Sequence, residues 1–388
     1  TTSEMPLHVL AGQAATAALA VRRGALRSPA GRVGLALTAA SAAGLIRLHR
    51  DALASGDVLE SALREALGPD YRQSLQAHLA PDHDIPLTPR QISRPGLGAR
   101  KRYLAAADLA YGDAGVRNHL DVWRRSDLPL DGRAPVLLQI HGGAWVLGRK
   151  DNQAGPLLSH LAERGWVCVA MNYRLAPKAT WPDLIVDVKA AIAWIRASIA
   201  EHGGDPGFLA VTGGSAGGHL SALAALTGGD PEFQPGFEDA DTSVQAAVPM
   251  YGLYDLASTE HGTRPDTIEF LQKQVMKTDP DVDRRQWEAA SPIHRIHPDA
   301  PPFLVVHGTN DSFLPVEQAR VFADRLLTVS TSPVAFAELP RAQHGFDFSS
   351  SVRVHHVVRA VERFLTSVRV GSSANAASTP DPAGHRAP

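Results

Sequence analysis

Cysteine is almost missing from this chain: Cys168 is the one thiol in 388 residues. That excludes an internal disulfide framework and a cysteine-based zinc site, so the fold must hold by packing. Aromatic residues are few, at 6%, and net charge is small, −2 from 38 basic and 40 acidic side chains. Without a basic excess there is no general attraction for nucleic acid, and none is expected as a partner. No Walker loop is present and no Gly-x-Gly-x-x-Gly follows an apolar strand, so no nucleotide cofactor is expected. His294 with His297, and His355 with His356, lack a third ligand nearby, so no metal is expected either. What remains, 44% apolar and 20% charged residues, is the composition of a soluble globular chain long enough to bury a large core.

One stretch lacks acids. Glu4 is the only acidic residue among the first 50, against Arg22, Arg23, Arg27, Arg32, Arg47 and Arg50, so this stretch nets +5 and the remainder −7. Two uncharged, alanine-rich runs, Met5 to Val21 and Val33 to Ile46, flank the first four arginines. Both are shorter than the roughly 20 strongly apolar residues of a bilayer span, and neither reads as one. Two expectations stand side by side: a basic helical hairpin making peripheral contact with an anionic membrane through residues 1–50, or a cap whose apolar side covers a catalytic domain. A separate helix is expected from Asp57 as N-cap, with Glu60 completing a capping box, Leu59, Leu63 and Leu67 on one face, and Gly68-Pro69 as the stop. From Pro69 to Tyr103 a proline-rich segment crosses to the next region. The chain opens Thr1-Thr2 without Met, which suggests a removed upstream segment, and no intact signal peptide is visible. Residence in the cytoplasm or at the cell envelope stays open, as does oligomeric state.

From Leu104 onward the pattern changes to short apolar runs alternating with helical ones, which predicts an α/β domain built on a mostly parallel eight-stranded sheet. The strands fall at 104–111, 118–124, 135–140, 166–172, 207–213, 244–249, 303–308 and 334–339. The first two, joined by a turn, predict an antiparallel edge hairpin. Helices are expected at 156–164, 183–201, 215–227, 315–328 and 351–368. The resulting layout is a helical N-terminal or cap region over 1–100, a catalytic domain over 101–370 with a cap insertion near 253–300, and a disordered tail over 371–388.

The chemistry gathers at strand ends. Strand Leu209 to Thr212 runs into Gly213-Gly214-Ser215-Ala216-Gly217 and then an Ala/Leu-rich helix, the order a nucleophile elbow requires. Strand Val136 to Ile140 ends in His141-Gly142-Gly143-Ala144-Trp145, whose Gly142 and Gly143 amides, with that of Ala216, are the expected oxyanion donors. A serine needs a base and the base an orienting acid. Asp311, in Gly308-Thr309-Asn310-Asp311, follows one late strand, and His344, in Gln343-His344-Gly345-Phe346, follows the next. Each is an ordinary loop residue alone; together, in this chain order and each beyond a strand, they predict a Ser215, His344, Asp311 triad. Arg174 and Asp187 are expected to brace a loop. His219, one turn into the elbow helix, reads as a packed residue, and Cys168 as buried and inert.

These segments, with Tyr173-Arg174-Leu175-Ala176-Pro177, resemble the α/β-hydrolase superfamily, and within it the hormone-sensitive-lipase-like bacterial esterases, especially the actinobacterial lipase/esterase group. The resemblance covers about residues 100–368. It implies the α/β-hydrolase fold, helices on both sheet faces with a helical cap, and a cofactor-free serine carboxylesterase or lipase acting on small-molecule or lipid esters of short to medium acyl chain. Trp145 and Tyr251 are then expected to line the acyl or alcohol pocket. Two departures stand out: Gly214 replaces the acid usual before the serine, and Ala144 replaces a third glycine. Because His-Gly-Gly-x-Trp also occurs in arylformamidases and prenylcysteine methylesterases, an arylformamidase or amidase is the alternative, with a catalytically weak ligand-binding homologue as the other.

Overall fold

The computed structural model describes residues 2–79, 99–130 and 132–378. Its helices and strands, in chain order, are α1 Pro6–Arg22, α2 Pro29–Leu67, α3 Tyr71–Leu75, α4 Ala99–Tyr103, β1 Leu104–Ala110, β2 His119–Trp123, β3 Ala134–Ile140, α5 Gly155–Glu163, β4 Val167–Met171, α6 Asp183–Ser198, β5 Gly204–Gly214, α7 Ala216–Leu226, β6 Ala246–Met250, α8 Pro265–Leu271, α9 Arg284–Ala290, β7 Phe303–Gly308, α10 Glu317–Val329, β8 Val334–Leu339 and α11 Val352–Ser378.

The eight strands form one sheet in the order β1-β2-β4-β3-β5-β6-β7-β8. The β1–β2 and β2–β4 pairs are antiparallel and the remaining pairs parallel. This is the expected α/β sheet with its edge hairpin. Central strands such as β3 are buried along their whole length because helices cover both faces. Side chains alternate between the layers. Val136, Leu138 and Ile140 meet α6, α7 and α10 on one face, while Leu137 lies with Cys168, α5, α11 and the end of α2 on the other. Register brings Ile140 opposite Gly213, and Gly308 opposite Leu339. The loops after β3, β5, β7 and β8 therefore leave the sheet along one carboxyl edge, where open α/β sheets bind their ligands.

The N-terminal region departs from expectation. No new helix starts at Asp57: α2 runs unbroken for 39 residues, from a Ser28 N-cap whose Oγ accepts from the Gly31 amide, to Gly68. A capping sequence acts only where a helix begins, and nothing between Pro29 and Gly68 stops a helix already running. By length and composition α2 is long and apolar enough to cross a membrane, which neither shorter run had suggested. α1 folds back along it, Gln13 Nε2 donating to Ser41 Oγ at 2.9 Å. The second half of α2 packs on the body through Leu59, Ala62 and Leu63. Asp51 pairs with Arg341 at 3.1 Å. Glu4 and Arg353 form a buried pair at 3.1 Å, and Arg353 also donates to Ser55 Oγ and to the Pro340 carbonyl.

Only part of the expected crossing segment can be placed: α3 and α4 lie within it, and 80–98 lie outside the described residues. The tail boundary also moves. α11 continues through Ser378, so 371–378 are helical where disorder was expected, and 379–388 lie outside the described residues.

Candidate active site

Ser215 sits where β5 turns into α7, at φ +59° and ψ −121°. Left-handed φ is costly for any side chain and persists only where the surroundings impose it. Here they do: a Cβ on Gly217 would lie 2.0 Å from the Ile140 carbonyl oxygen, and one on Gly213 would lie 2.4 Å from that of Gly217. The turn can therefore be this tight only with glycine at both places, and the serine is lifted to the sheet edge.

There the structure brings the three predicted residues together. His344 Nε2 lies 2.9 Å from Ser215 Oγ, and His344 Nδ1 lies 2.7 Å from Asp311 Oδ2. The Phe313 and Leu314 amides donate to Asp311 Oδ1 at 2.9 and 2.8 Å. His307, fully buried at the end of β7, places Nε2 3.4 Å from Asp311 Oδ2. Burial works against charge on Asp311, but His307, His344 and the Leu314 amide outweigh it and hold the carboxyl well below the usual range. The imidazole of His344 is held between Tyr251, edge-on at 4.9 Å, and Phe313, stacked at 5.4 Å.

The loop after β3 corrects one expectation. The Gly142 amide donates to Gln153 Oε1 at 2.7 Å, so it is already committed and does not point free into the site. Gly143 keeps a free amide among the described residues, at φ +130°, which favours glycine. Ala216 N–H is one of the first-turn amides that a helix leaves without an intrahelical partner. Ala144 and Trp145 follow at φ +50° and +61°, and a third glycine in place of Ala144 would relieve the strain at the first of them.

Trp145 is buried in the core, and its indole N–H donates to His219 Nδ1 at 3.1 Å. It supports the loop from beneath. His219 Nε2 in turn lies 2.7 Å from the Ala290 carbonyl oxygen, tying the elbow helix to the segment between β6 and β7. Burial pulls the His219 pKa down to about 4, so at neutral pH it is uncharged. Arg174 grips Asp187 through its backbone amide, at 2.7 Å, and its Nε, at 2.9 Å, bracing the loop after β4.

Tyr251, also buried, explains the missing acid before the serine. A Cβ on Gly214 would lie 2.2 Å from the Tyr251 hydroxyl oxygen, so the phenol fills the space a side chain at 214 would need. That hydroxyl donates to Asp347 Oδ1, and burial raises the Asp347 pKa. Gln153, His307 and Asp347 were not anticipated. Only Asp347, three residues past His344, lay near a motif; Gln153 and His307 reach their partners through tertiary contact that spacing does not reveal.

A serine at a strained strand-to-helix turn, on a sheet of this order, is the plan of the α/β-hydrolases, and that is the class this fold defines. The BD-FAE family model matches residues 121–326. The probable carboxylic ester hydrolase LipM of Mycobacterium tuberculosis is 49% identical over 385 residues, 98% of this chain and 88% of that protein. Among solved structures, esterase 2 of Thermogutta terrifontis phosphonylated by sarin is 26% identical with a TM-score of 0.59, covering 69% of this chain and 95% of that one. The propionate-bound form of that esterase is 28% identical with a TM-score of 0.57 and the same coverage, 69% and 95%. The chain belongs to the BD-FAE family and is a carboxylic ester hydrolase.

Proposed function

We propose that the chain hydrolyses short- to medium-chain acyl esters by acyl transfer to Ser215. Ionised Asp311 accepts from His344 Nδ1–H, which leaves Nε2 bare to take the serine proton as Oγ attacks the carbonyl carbon. The Gly143 and Ala216 amides stabilise the oxyanion, each donor being worth about 3 kcal/mol in the transition state. When the intermediate collapses, His344 returns the proton to the departing alkoxide. Water then repeats the sequence on the acyl-enzyme, releasing the acid and restoring Ser215. Tyr251, Asp347 and Trp145 act through position: Tyr251 walls the imidazole, Asp347 holds the Tyr251 hydroxyl, and Trp145 supports the oxyanion loop.

The observation that carries this reading is the pair of short contacts on one imidazole, 2.9 Å to Ser215 and 2.7 Å to Asp311. The substrate class draws on the site's mouth. Leu147 beside Gly143, Phe313 over His344 and Phe348 against Gly345 are all about 60% exposed or more, an apolar rim suited to an acyl or alkyl group. The related esterase holding propionate agrees with a short acyl group.

A fluorophosphonate probe should label Ser215 one to one. Ser215→Ala should stop labelling and lower kcat on p-nitrophenyl butyrate about 10⁶-fold without lowering Tm. Near-normal turnover by that variant, or labelling at another residue, would overturn the reading.

A further inference from the structure

The hairpin of α1 and α2 does work that ester hydrolysis leaves unexplained. Upward from Leu67, α2 climbs beside β8 and α11 until Asp51 meets Arg341, on the same loop as His344. That is the carboxyl edge of the sheet, and α2 passes it without a break. The 22 residues from Arg50 back to Pro29 extend about 33 Å beyond, on the side toward which Ser215 opens. In that extension only Leu45 is buried.

At its far end large apolar side chains face outward: Leu19, Val21, Leu26, Val33 and Leu37 are 40–66% exposed. Among them stand Arg22, Arg23, Arg27 and Arg32, all exposed, with no acidic partner among the described residues. We propose that this end of the hairpin, Leu19 to Leu37, docks into the surface of an anionic lipid bilayer and turns the catalytic edge toward it. The apolar side chains enter the boundary between headgroups and acyl chains, and the arginines meet lipid phosphates.

Charge selects this occupant over a second copy of the chain, because two such ends would set four arginines against four with no acid to offset them. α2 reaches the length of a span only by a stretch that takes in Arg32 or Arg47, and a charge inside the hydrocarbon disfavours spanning. The uncharged run Val33 to Ile46 is 14 residues, about 21 Å, against roughly 30 Å of hydrocarbon.

The test is flotation of the full chain with vesicles of phosphatidylcholine and phosphatidylglycerol, one to one, against phosphatidylcholine alone at 0.1 M salt. Ser215→Ala protein is run in parallel and should float equally, so a failure of docking is read apart from a failure of the acyl-transfer reading. Anionic vesicles should bind at least tenfold more protein than neutral ones. Replacing Arg22, Arg23, Arg27 and Arg32 by Gln should remove that preference. Leu26→Asp with Leu37→Asp should abolish flotation, with circular dichroism confirming helicity. No flotation with anionic vesicles, or flotation that neither set of substitutions weakens, would overturn the proposal. So would light scattering that shows a dimer lost on Leu26→Asp with Leu37→Asp and no vesicle binding, which would assign the surface to a second copy.

Discussion

From Asp51 to Leu67, α2 turns Ala52, Ser55, Leu59, Ala62 and Leu63 inward, whereas from Pro29 to Arg50 it buries only Leu45 and leaves Val33, Leu37 and Ile46 outside. Both halves are helical because both are rich in good helix formers: the upper half has six alanines and four leucines, which outweigh its three glycines, and no interior proline. Propensity made the rod; the placement of large side chains decided which half became part of the body. Leu59 and Leu63, four apart, lie on one stripe and meet α11 and β8. Val33 and Leu37 make an equal stripe that stays mostly exposed. One helix thus serves as core at one end and as surface at the other.

The largest effect tests the body alone. Asp311→Asn keeps the shape at the edge of the sheet but supplies a neutral partner for His344, so the imidazole can settle in the wrong tautomer. A fall in kcat of about 10⁴-fold, with KM little changed, is expected in steady-state assays on a p-nitrophenyl ester. A loss under tenfold would mean that Asp311 does not orient the base.

Next comes the anchor where the two regions meet. Glu4 holds Arg353 and accepts from Ser351 Oγ, and Arg353 reaches the Pro340 carbonyl, four residues before His344. Glu4→Ala strands a buried guanidinium, which should cost about 3–5 kcal/mol in urea unfolding. If stability hardly changes, the N-terminal region is not fastened to the body at this point and the division of α2 is misplaced.

Much of this was legible in the sequence, for identifiable reasons. Central strands such as Val136–Ile140 and Leu209–Thr212 are mostly apolar, with Gln139 and Thr212 the exceptions, and glycines follow them closely, so their ends, and the residues beyond them, could be located. Ser215, Asp311 and His344 follow the ends of β5, β7 and β8 by one, three and five residues. What spacing could not convey was side-chain partnership. Nothing marks Gln153 as the acceptor for Gly142 or His219 as the acceptor for Trp145, since each depends on how layers pack. Nor could local signals show that Asp57 lies inside a longer helix, because Asp57 and Glu60 look alike as a capping box and as an exposed pair on a running one.

Within the packed half, Leu63 is fully buried, and Leu63→Ala should cost 2–5 kcal/mol by loss of burial and the cavity left behind. The charge cluster beside it gives a pH dependence. Burial alone would raise the Glu60 pKa, but Arg72, Arg64 and Tyr71 outweigh it and bring it from 4.5 to about 2. Because the folded value lies below the unfolded one, the stabilisation is complete above about pH 4.5 and fades as pH falls toward 2. Solvent screening limits it to about 1 kcal/mol. Melting Glu60→Gln beside the parent chain should show a gap at pH 6 that closes near pH 2; a gap of constant size would remove Glu60 from the fastening.

The smallest effect bears hardest on the comparison. Leu37 is 66% exposed, so Leu37→Ala removes little buried area and opens no cavity. Alanine is also at least as good a helix former as leucine, so the exchange costs the rod nothing. Urea midpoints should therefore agree within about 0.5 kcal/mol of the parent, as for other exposed sites. The same Leu-to-Ala exchange, made 26 residues apart on one helix, then yields two costs, and burial is the one variable that separates them. If Leu37→Ala proves as costly as Leu63→Ala, the upper half is packed against something in dilute solution, and a face taken as open is already covered.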